Sequence, residues 1–267
     1  MSTLSRSFIL LLLSFCCLVI LLSSCAIPET YSVSRGTPSV GTTLSTYSEH
    51  LNAVSAVAWS PDGKYLASAS FDTTVQVWQS VTGKLELTYH GHANWVTAVA
   101  WSPDGKELAS GGLDTTVQVW NATTGKALLT YIGHAGSVTA IAWSPDGQHL
   151  ASVGFDKTVQ VWDAATGKPL WMYCCQGWVN GIAWSPNGRY VASANTSKTV
   201  QVWESMTGTP TLTYRNHRSE VLTVAWSPDG TRIASGDDDG IVRVWQAPVA
   251  CPCAPDDKGQ RESEVDL

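Results

Sequence analysis

Short apolar stretches separated by turn residues run through most of the chain. In one such region, Val96–Trp101 is β-branched and small, and Val117–Trp120 alternates apolar with polar side chains. Both patterns are typical of half-buried strands. Ser102–Gly105, with Pro second and Gly fourth, has the composition of a type I turn. Four short strands without a helical period predict one antiparallel four-stranded sheet.

This unit occurs five times at an almost constant spacing. Two Trp positions mark it, and both step by 42, 42, 41 and 42 residues. A sheet that is apolar on both faces needs a neighbouring sheet on each side, so a repeat of this length predicts a repeat architecture. The first series is Trp59, Trp101, Trp143, Trp184 and Trp226, and the second is Trp78, Trp120, Trp162, Trp203 and Trp245.

Through Gly91-His92, Ser110, Asp114 and Val119-Trp120, the second unit resembles the WD-repeat (β-transducin-like) propeller family. The resemblance covers about residues 42–246, with repeats at about 49–90, 91–132, 133–173, 174–215 and 216–246. It implies an all-β fold, a propeller of four-stranded antiparallel blades, with a buried hydrogen-bonded network in each. The network residues carried over are His50, Ser68, Asp72, Trp78; His92, Ser110, Asp114, Trp120; His134, Ser152, Asp156, Trp162; and His217, Ser235, Asp239, Trp245.

The fourth unit departs from this pattern. It keeps Ser193 and Trp203, but Ser197 stands where Asp is expected, and Cys174 or Cys175 stands where His is expected. Loss of buried hydrogen bonds predicts that this blade is the least stable, by about 1–3 kcal/mol. We therefore expect amide exchange to be fastest there.

The two ends of the repeat region complement each other. Residues 43–47 echo the fourth strand of a unit without the preceding three, whereas the unit that ends at Trp245 lacks its fourth strand. We expect the N-terminal strand to complete the last blade, which closes a five-bladed ring and removes two exposed edges. Because WD-repeat propellers more often have seven blades, pairing of two chains into a larger ring is the alternative. An unrecognised blade is disfavoured, since the sequence has no spare stretch of about 40 residues for it.

Residues 1–25 have the features of a targeting segment. Arg6 precedes an apolar run, 8–22, that is short for a membrane span but fits a signal peptide. The run ends in Ser-Ser-Cys25, which resembles a bacterial lipobox, in which the chain is cut before a lipid-bearing Cys. We expect an extracytoplasmic protein anchored to the cell membrane through Cys25. An uncleaved anchor helix and an ordinary secreted protein are the alternatives. Residues 26–41 are predicted to be a flexible linker.

The C-terminal residues 247–267 are acidic and are predicted to be a disordered tail. They contain Cys251 and Cys253, which together with Cys174 and Cys175 are interpreted as free or intermolecular thiols. Disulfide formation among the four, and an oligomer linked through Cys251 and Cys253, stay open. The formal net charge of −6 argues against nucleic acid as a partner.

No motif of the chain indicates catalysis. Ser, His and Asp recur together in four units, whereas an active site needs one activated Ser. The His residues lie one per blade, too far apart to share a metal ion, and no phosphate loop or dinucleotide fingerprint is present. We expect no cofactor and no metal, and an essentially structural role for the repeated polar residues.

The loop before each first strand varies most among the copied units. The residue there is Ala53, Trp95, Ser137, Trp178 or Glu220. Antiparallel strand order places these loops at one end of the blades, the top, opposite the Ser-Pro-Asp-Gly turns and the anchored N-terminus. Trp95 and Trp178, with Asn94, Arg218 and Glu220, form the predicted site for protein partners. A glycan-binding module and an enzyme using these loops are alternative functions, and Trp side chains lying flat over their own blades are the structural alternative.

Overall fold

The computed structural model describes residues 41–248, and every regular element in that range is a β-strand. The targeting segment 1–25, the linker up to residue 40 and the tail from residue 249 lie outside the described residues, as do Cys25, Cys251 and Cys253. No helix within the described range is long and apolar enough to cross a membrane.

The strands follow one another in five groups, here called the first to the fifth blade. The first two blades contain β1 (Val54–Trp59), β2 (Tyr65–Ser70), β3 (Val75–Gln79), β4 (Leu85–Tyr89), β5 (Val96–Trp101), β6 (Glu107–Gly112), β7 (Val117–Asn121) and β8 (Ala127–Tyr131). The third and fourth contain β9 (Val138–Trp143), β10 (His149–Gly154), β11 (Thr158–Asp163), β12 (Pro169–Cys174), β13 (Val179–Trp184), β14 (Tyr190–Asn195), β15 (Thr199–Glu204) and β16 (Pro210–Tyr214). The fifth contains β17 (Val221–Trp226), β18 (Arg232–Asp237) and β19 (Val242–Gln246).

Each group forms one antiparallel sheet in which consecutive strands are neighbours. Within residues 41–248, four sheets have four strands and the fifth has three. The predicted all-β class and the five repeated antiparallel sheets are therefore confirmed.

The turns that join first and second strands form from their own side chains. In the first blade, Ser60 O accepts a hydrogen bond from Gly63 N at 2.9 Å, and Ser60 Oγ donates to Asp62 Oδ1 at 2.7 Å. Gly63 has a φ of +70°, a left-handed conformation that glycine adopts without a steric penalty. The same residue types at the same places in the other units produce the same turn, and this keeps the bottom end regular.

The hydrophobic core is divided among the junctions between neighbouring blades. Four core clusters lie between successive sheets, and Trp120, Trp162 and Trp203 are completely buried in them. A hydrogen bond crosses each junction from a first-strand Trp to the preceding blade, as from Trp101 Nε1 to Ala58 O at 3.1 Å. The repeat is thus stabilised by its neighbours, as the apolar faces of each sheet require.

The prediction that the N-terminal strand closes the last blade is not confirmed. Residues 43–47 form no strand, and β19 has one strand neighbour among the described residues. Tyr47 instead stacks on Trp78 of the first blade, with ring centroids 5.0 Å apart, and Ser45 Oγ donates to Ser80 O at 2.8 Å. The segment therefore lies beside the first blade, where an outer strand of a preceding blade would lie.

The five blades form an open array within residues 41–248. Neighbouring inner strands pack against each other from β1 to β17, but β17 and β1 do not pack together in this way. The free side of β1 and that of β19 both carry exposed apolar side chains. The four junctions between successive blades therefore do not bring the last blade back against the first.

Candidate functional site

The repeated polar residues meet inside each blade as one hydrogen-bonded group. His50 comes from the top loop before β1, Ser68 from β2, Asp72 from the corner after β2 and Trp78 from β3. His50 Nδ1 lies 2.7 Å from Asp72 Oδ2, and His50 Nε2 lies 2.8 Å from Ser68 Oγ. Trp78 Nε1 donates to the same Ser68 Oγ at 3.4 Å. One His side chain thus fixes the top loop to two strands.

The second and third blades repeat this geometry almost unchanged. His92 lies 2.8 Å from both Asp114 and Ser110, and His134 lies 2.7 Å from Asp156 and 2.8 Å from Ser152. The two indoles, Trp120 and Trp162, each donate to their Ser at 3.1 Å. The structure thus brings together all four members of the predicted sets in these blades.

In the fifth blade the predicted Asp239 is wrong, because Asp237 takes its place. Asp237 Oδ2 lies 2.7 Å from His217 Nδ1, and Asp237 Oδ1 accepts the backbone N–H of Ile241 at 3.0 Å. Asp237 stands at the end of β18, two residues before the expected corner. Asp239 has the spacing of the other blades, 22 residues after the His, whereas Asp237 lies only 20 residues after His217, so the repeat spacing indicated the wrong Asp.

The fourth blade keeps only part of the group. Trp203 Nε1 donates to Ser193 Oγ at 3.2 Å, and Cys175 occupies the place of the His with its Sγ 3.5 Å from Gln201 Oε1. The side-chain oxygens of Asn180 and Asn195 are buried without a hydrogen-bond partner among the described residues. This blade therefore has fewer satisfied buried polar groups than its neighbours.

The two cysteines of this blade form no disulfide within residues 41–248, and they differ in exposure. Cys174 is exposed at the end of β12, whereas Cys175 is buried. Burial, with smaller contributions from the charges of Cys174 and Asp156, raises the pKa of the Cys175 thiol to about 12. A neutral buried thiol is a poor nucleophile, so Cys175 acts here as a packing residue.

The network carboxylates are held ionised. Burial by itself raises the pKa of Asp114, but hydrogen bonds and charge from His92, and hydrogen bonds from Thr116, outweigh burial and lower that pKa to about 2. In the same way, hydrogen bonds from Thr74 and His50 outweigh burial and lower the pKa of Asp72 to about 2. Hydrogen bonds that favour the ionised form account for both shifts.

The Asp–His–Ser order of contacts matches that of a hydrolytic triad, but the surroundings do not. Ser110 and Ser152 are completely buried, and each hydroxyl already contacts a His and an indole. A substrate carbonyl cannot reach a nucleophile in this position. The group ties strands together, and within residues 41–248 no three His, Cys, Asp or Glu side chains are placed to bind a metal ion.

At the top end, each of the two unusual Trp side chains packs on a Phe of the preceding blade. Trp95 stacks on Phe71 with centroids 4.4 Å apart and 16° between the planes. Trp178 lies 5.1 Å from Phe155 at 51° and is 37% exposed. The structural alternative placed each Trp flat over its own blade, whereas the aromatic partner of both Trp residues lies one blade earlier.

The other predicted contact residues stand in equivalent loops without touching this pair. Asn94 Oδ1 accepts the backbone N–H of Trp95 at 2.8 Å, so its side chain shapes the loop. Arg218 is exposed in the fifth blade, and the carbonyl of Glu220 accepts the N–H of Asp238 at 3.0 Å. The ring contacts within residues 41–248 do not join Trp95 to Trp178, so the site consists of separate patches along one end.

Sequence reasoning missed Phe71 and Phe155. A signal for them exists, because the residue after each second strand is Phe in the blades that precede Trp95 and Trp178. The equivalent residue is Leu113 in the blade before Ser137 and Thr196 in the blade before Glu220. Aromatic side chains thus occur in pairs across two of the junctions.

Comparison with known families agrees with this architecture. The family described as "IFT122 first beta-propeller" matches residues 95–246, more than half of the chain. The family described as "WD domain, G-beta repeat" matches residues 41–79. Together the two matches include most of the described residues.

Similarity to individual proteins is limited to short segments. A probable cytosolic iron-sulfur protein assembly protein 1 of Cryptococcus neoformans var. neoformans serotype D is 40% identical over 76 residues, covering 23% of this chain and 17% of that protein. The protein of the same description from Mycosarcoma maydis is 56% identical over 41 residues, covering 14% and 9%. The probable cytosolic iron-sulfur protein assembly protein Ciao1 of Culex quinquefasciatus is 51% identical over 37 residues, covering 14% and 11%. The chain thus aligns with less than a fifth of the length of these curated relatives.

Proposed function

The chain belongs to the WD-repeat β-propeller family, and from that premise we propose that it is a non-catalytic binding module that docks protein partners on its top end. The observation that carries this proposal is Trp178, a large aromatic side chain that is 37% exposed and supported from below by Phe155. Aromatic side chains held rigidly at a surface are typical centres of protein interfaces.

Protein is the favoured class of ligand for two reasons. The top-end patches, which carry Trp95, Trp178, Arg218 and Glu220, lie in separate loops and suit a broad surface better than a small molecule. Three relatives are described as probable cytosolic iron-sulfur protein assembly proteins, although the alignment covers little of their length. An assembly role for this chain rests on that analogy.

The absence of catalysis is part of the same proposal. The polar groups that could act as acid, base or nucleophile are buried and repeated in four blades. Their carboxylates are ionised by hydrogen bonds inside the blade, which is the arrangement of a structural group.

We further propose that the protein is anchored outside the cytoplasm by a lipid on Cys25. The support is the sequence of residues 1–25, with an apolar run that ends in Ser-Ser-Cys. The linker and tail would then hold the bottom end toward the membrane and leave the top end facing outward. Mass spectrometry of the membrane-extracted protein is expected to show a chain that begins at acylated Cys25. An intact Met1 or an unmodified Cys25 would reject the anchor.

The binding proposal is tested by affinity capture with the full chain as bait. We expect a specific protein to be retained by the wild type and lost with Trp95→Ala/Trp178→Ala. The matched control is Val81→Ala/Met206→Ala, which removes two exposed apolar side chains from bottom turns. Equal capture by all three baits, or no specific capture by any, contradicts docking on the top end.

Glycan binding is a second candidate because Trp95 and Trp178 could also serve as stacking platforms for sugar rings. A glycan array probed with the wild type and with Trp178→Ala separates the two classes of ligand. Signals that require Trp178, without a captured protein, favour the glycan.

A further inference from the structure

Two apolar surfaces have no neighbouring blade within residues 41–248. We define the first-blade face as Val57 and Trp59 on the free side of β1, which are 54% and 55% exposed. We define the last-blade face as Val242 and Val244 on the free side of β19, which are 72% and 63% exposed. Exposed β-branched and aromatic side chains in adjacent rows are unusual on a surface that meets only water.

The equivalent surfaces of the other blades are buried at the junctions between blades. Val99 is the equivalent of Val57 in the second blade and is 9% exposed. Val119 is the equivalent of Val244 and is 1% exposed. At each of the four junctions within the chain, the surface equivalent to the last-blade face packs on the surface of the next blade that is equivalent to the first-blade face.

Hydrogen bonding repeats this relationship. Trp101, Trp143, Trp184 and Trp226 donate from their indoles to Ala58, Ala100, Ala142 and Ala183 of the preceding blade, at 3.0–3.2 Å. Trp59 is the corresponding donor of the first blade, and the carbonyl of Ala225 is the corresponding acceptor of the fifth. Within residues 41–248, Trp59 has no such acceptor, and no indole donates to Ala225 O.

The N-terminal segment completes the match. Tyr47 stacks on Trp78 as Tyr89 of the first blade stacks on Trp120 of the second. Residues 43–47 thus lie where the outer strand of a preceding blade would lie. Among the described residues, the fifth blade has three strands and no outer one, so a fifth blade placed against the first-blade face would lie next to this segment.

The fifth blade of the same molecule does not reach this position. Each of the four junctions is closely packed, and bringing the ends together would change all four at once. Packed interfaces resist such deformation, whereas a second molecule can dock without any. An interface between two different surfaces of identical molecules is heterologous. A pair of copies joined in this way still has one free first-blade face and one free last-blade face.

We propose that a second copy of this chain docks its fifth blade on the first-blade face, head to tail, next to residues 43–47. The contact reproduces the junctions within the chain, with the Trp59 indole donating to the carbonyl of Ala225 of the other copy. Addition of further copies extends the assembly in one direction. This surface is separate from the top-end loops, so the two proposals fail independently.

The test is sedimentation velocity of the full chain in detergent, from about 1 to about 100 μM, where interfaces of micromolar affinity are partly occupied. We expect the wild type to shift from one copy to two or more as concentration rises. Val57→Glu and Val244→Glu each place a charge in the contact and are expected to remain single copies, with at least tenfold weaker association. Both residues are exposed, and circular dichroism verifies that the variants fold.

A mixture of the two variants is the decisive sample in the sedimentation experiment. The Val57→Glu copy retains an intact last-blade face, and the Val244→Glu copy retains an intact first-blade face. An equimolar mixture is expected to form a pair of copies and nothing larger. Trp59→Glu mixed with Val242→Glu provides a second, independent pair. Met206→Glu changes an exposed apolar residue in the turn before β16 of the fourth blade and should behave as the wild type.

Three results overturn the proposal. The first is a wild type that stays a single copy throughout, as expected for ends closed within one chain or simply free. The second is undiminished association of both single variants. The third is a mixture of Val57→Glu and Val244→Glu that forms no pairs.

Discussion

Tyr131 lies flat on Trp162, with ring centroids 4.4 Å apart and 6° between the ring planes, although the two residues belong to different blades. The Tyr131 hydroxyl also donates to Gln160 Oε1 at 2.7 Å. One side chain thus connects the outer strand of one blade to the third strand of the next. Similar Tyr–Trp stacking recurs in the neighbouring repeats, which makes it a main element of the junctions.

The Tyr131 hydroxyl should contribute measurably to the free energy of unfolding. Tyr131→Phe keeps the stacking and leaves Gln160 Oε1 without its buried donor, so we expect a loss of about 0.5–1.5 kcal/mol in the free energy of unfolding. Tyr173→Phe is the matched control, because Tyr173 is 39% exposed and its hydroxyl has no partner among the described residues. Urea unfolding of both variants checks the prediction. Equal losses would show that the hydroxyl bond at Tyr131 contributes nothing.

Acid should weaken the blades through their carboxylates. The pKa of Asp114 is lowered from its ordinary 3.8 to about 2, so its stabilising effect is present above 3.8 and is lost as pH falls toward 2. Asp114→Asn should therefore be less stable than the wild type near neutral pH, and the difference should shrink at pH values approaching 2. Urea midpoints across this range measure it, with the exposed Glu86→Gln as the control. A difference that does not change with pH would contradict the assignment.

The fourth blade is expected to open first. It lacks the His–Asp pair and contains two buried amide oxygens without partners, at Asn180 and Asn195. Hydrogen exchange followed by mass spectrometry should therefore be fastest over residues 174–203 compared with equivalent strands in the second and third blades. Uniform protection of the blades would refute a local weakness.

Restoring the missing group should strengthen this blade. Cys175 stands 18 residues before Ser193 and Ser197 stands four after it, the same spacings that His134 and Asp156 have from Ser152. We expect Cys175→His/Ser197→Asp to raise the free energy of unfolding by about 1–2 kcal/mol, and each single change to give none of this gain. A double-mutant cycle measures the coupling, and an additive result would mean that the pair does not form.

Most of the fold could be predicted because two Trp series fix where each repeat begins and ends. The positions of the hydrogen-bonded network residues followed from the same repeat spacing. His134, Ser152, Asp156 and Trp162 are an example. Asp239 was misassigned because it has the His–Asp spacing of the other blades, 22 residues, whereas Asp237, 20 residues after His217, is the residue that contacts the imidazole. Closure could not be predicted, since it depends on the angle between blades, which is a property of packing and not of periodicity.

The top-end site was predictable only in part. Trp95 and Trp178 stood out against small or charged residues at equivalent positions, but their partners Phe71 and Phe155 lie in the preceding repeat. Contacts between repeats are invisible when each repeat is aligned only with itself. Whether these aromatic pairs bind a protein remains a prediction of the structure.

The most direct test of docking on the top end is a hydrogen-exchange footprint of the full chain with and without its captured partner. We predict slower exchange of amides in the top loops, at residues 92–96, 175–179 and 217–221, and unchanged exchange in the bottom turns at 60–64 and 80–84. Protection confined to the bottom turns or to the outer strands would contradict the central claim.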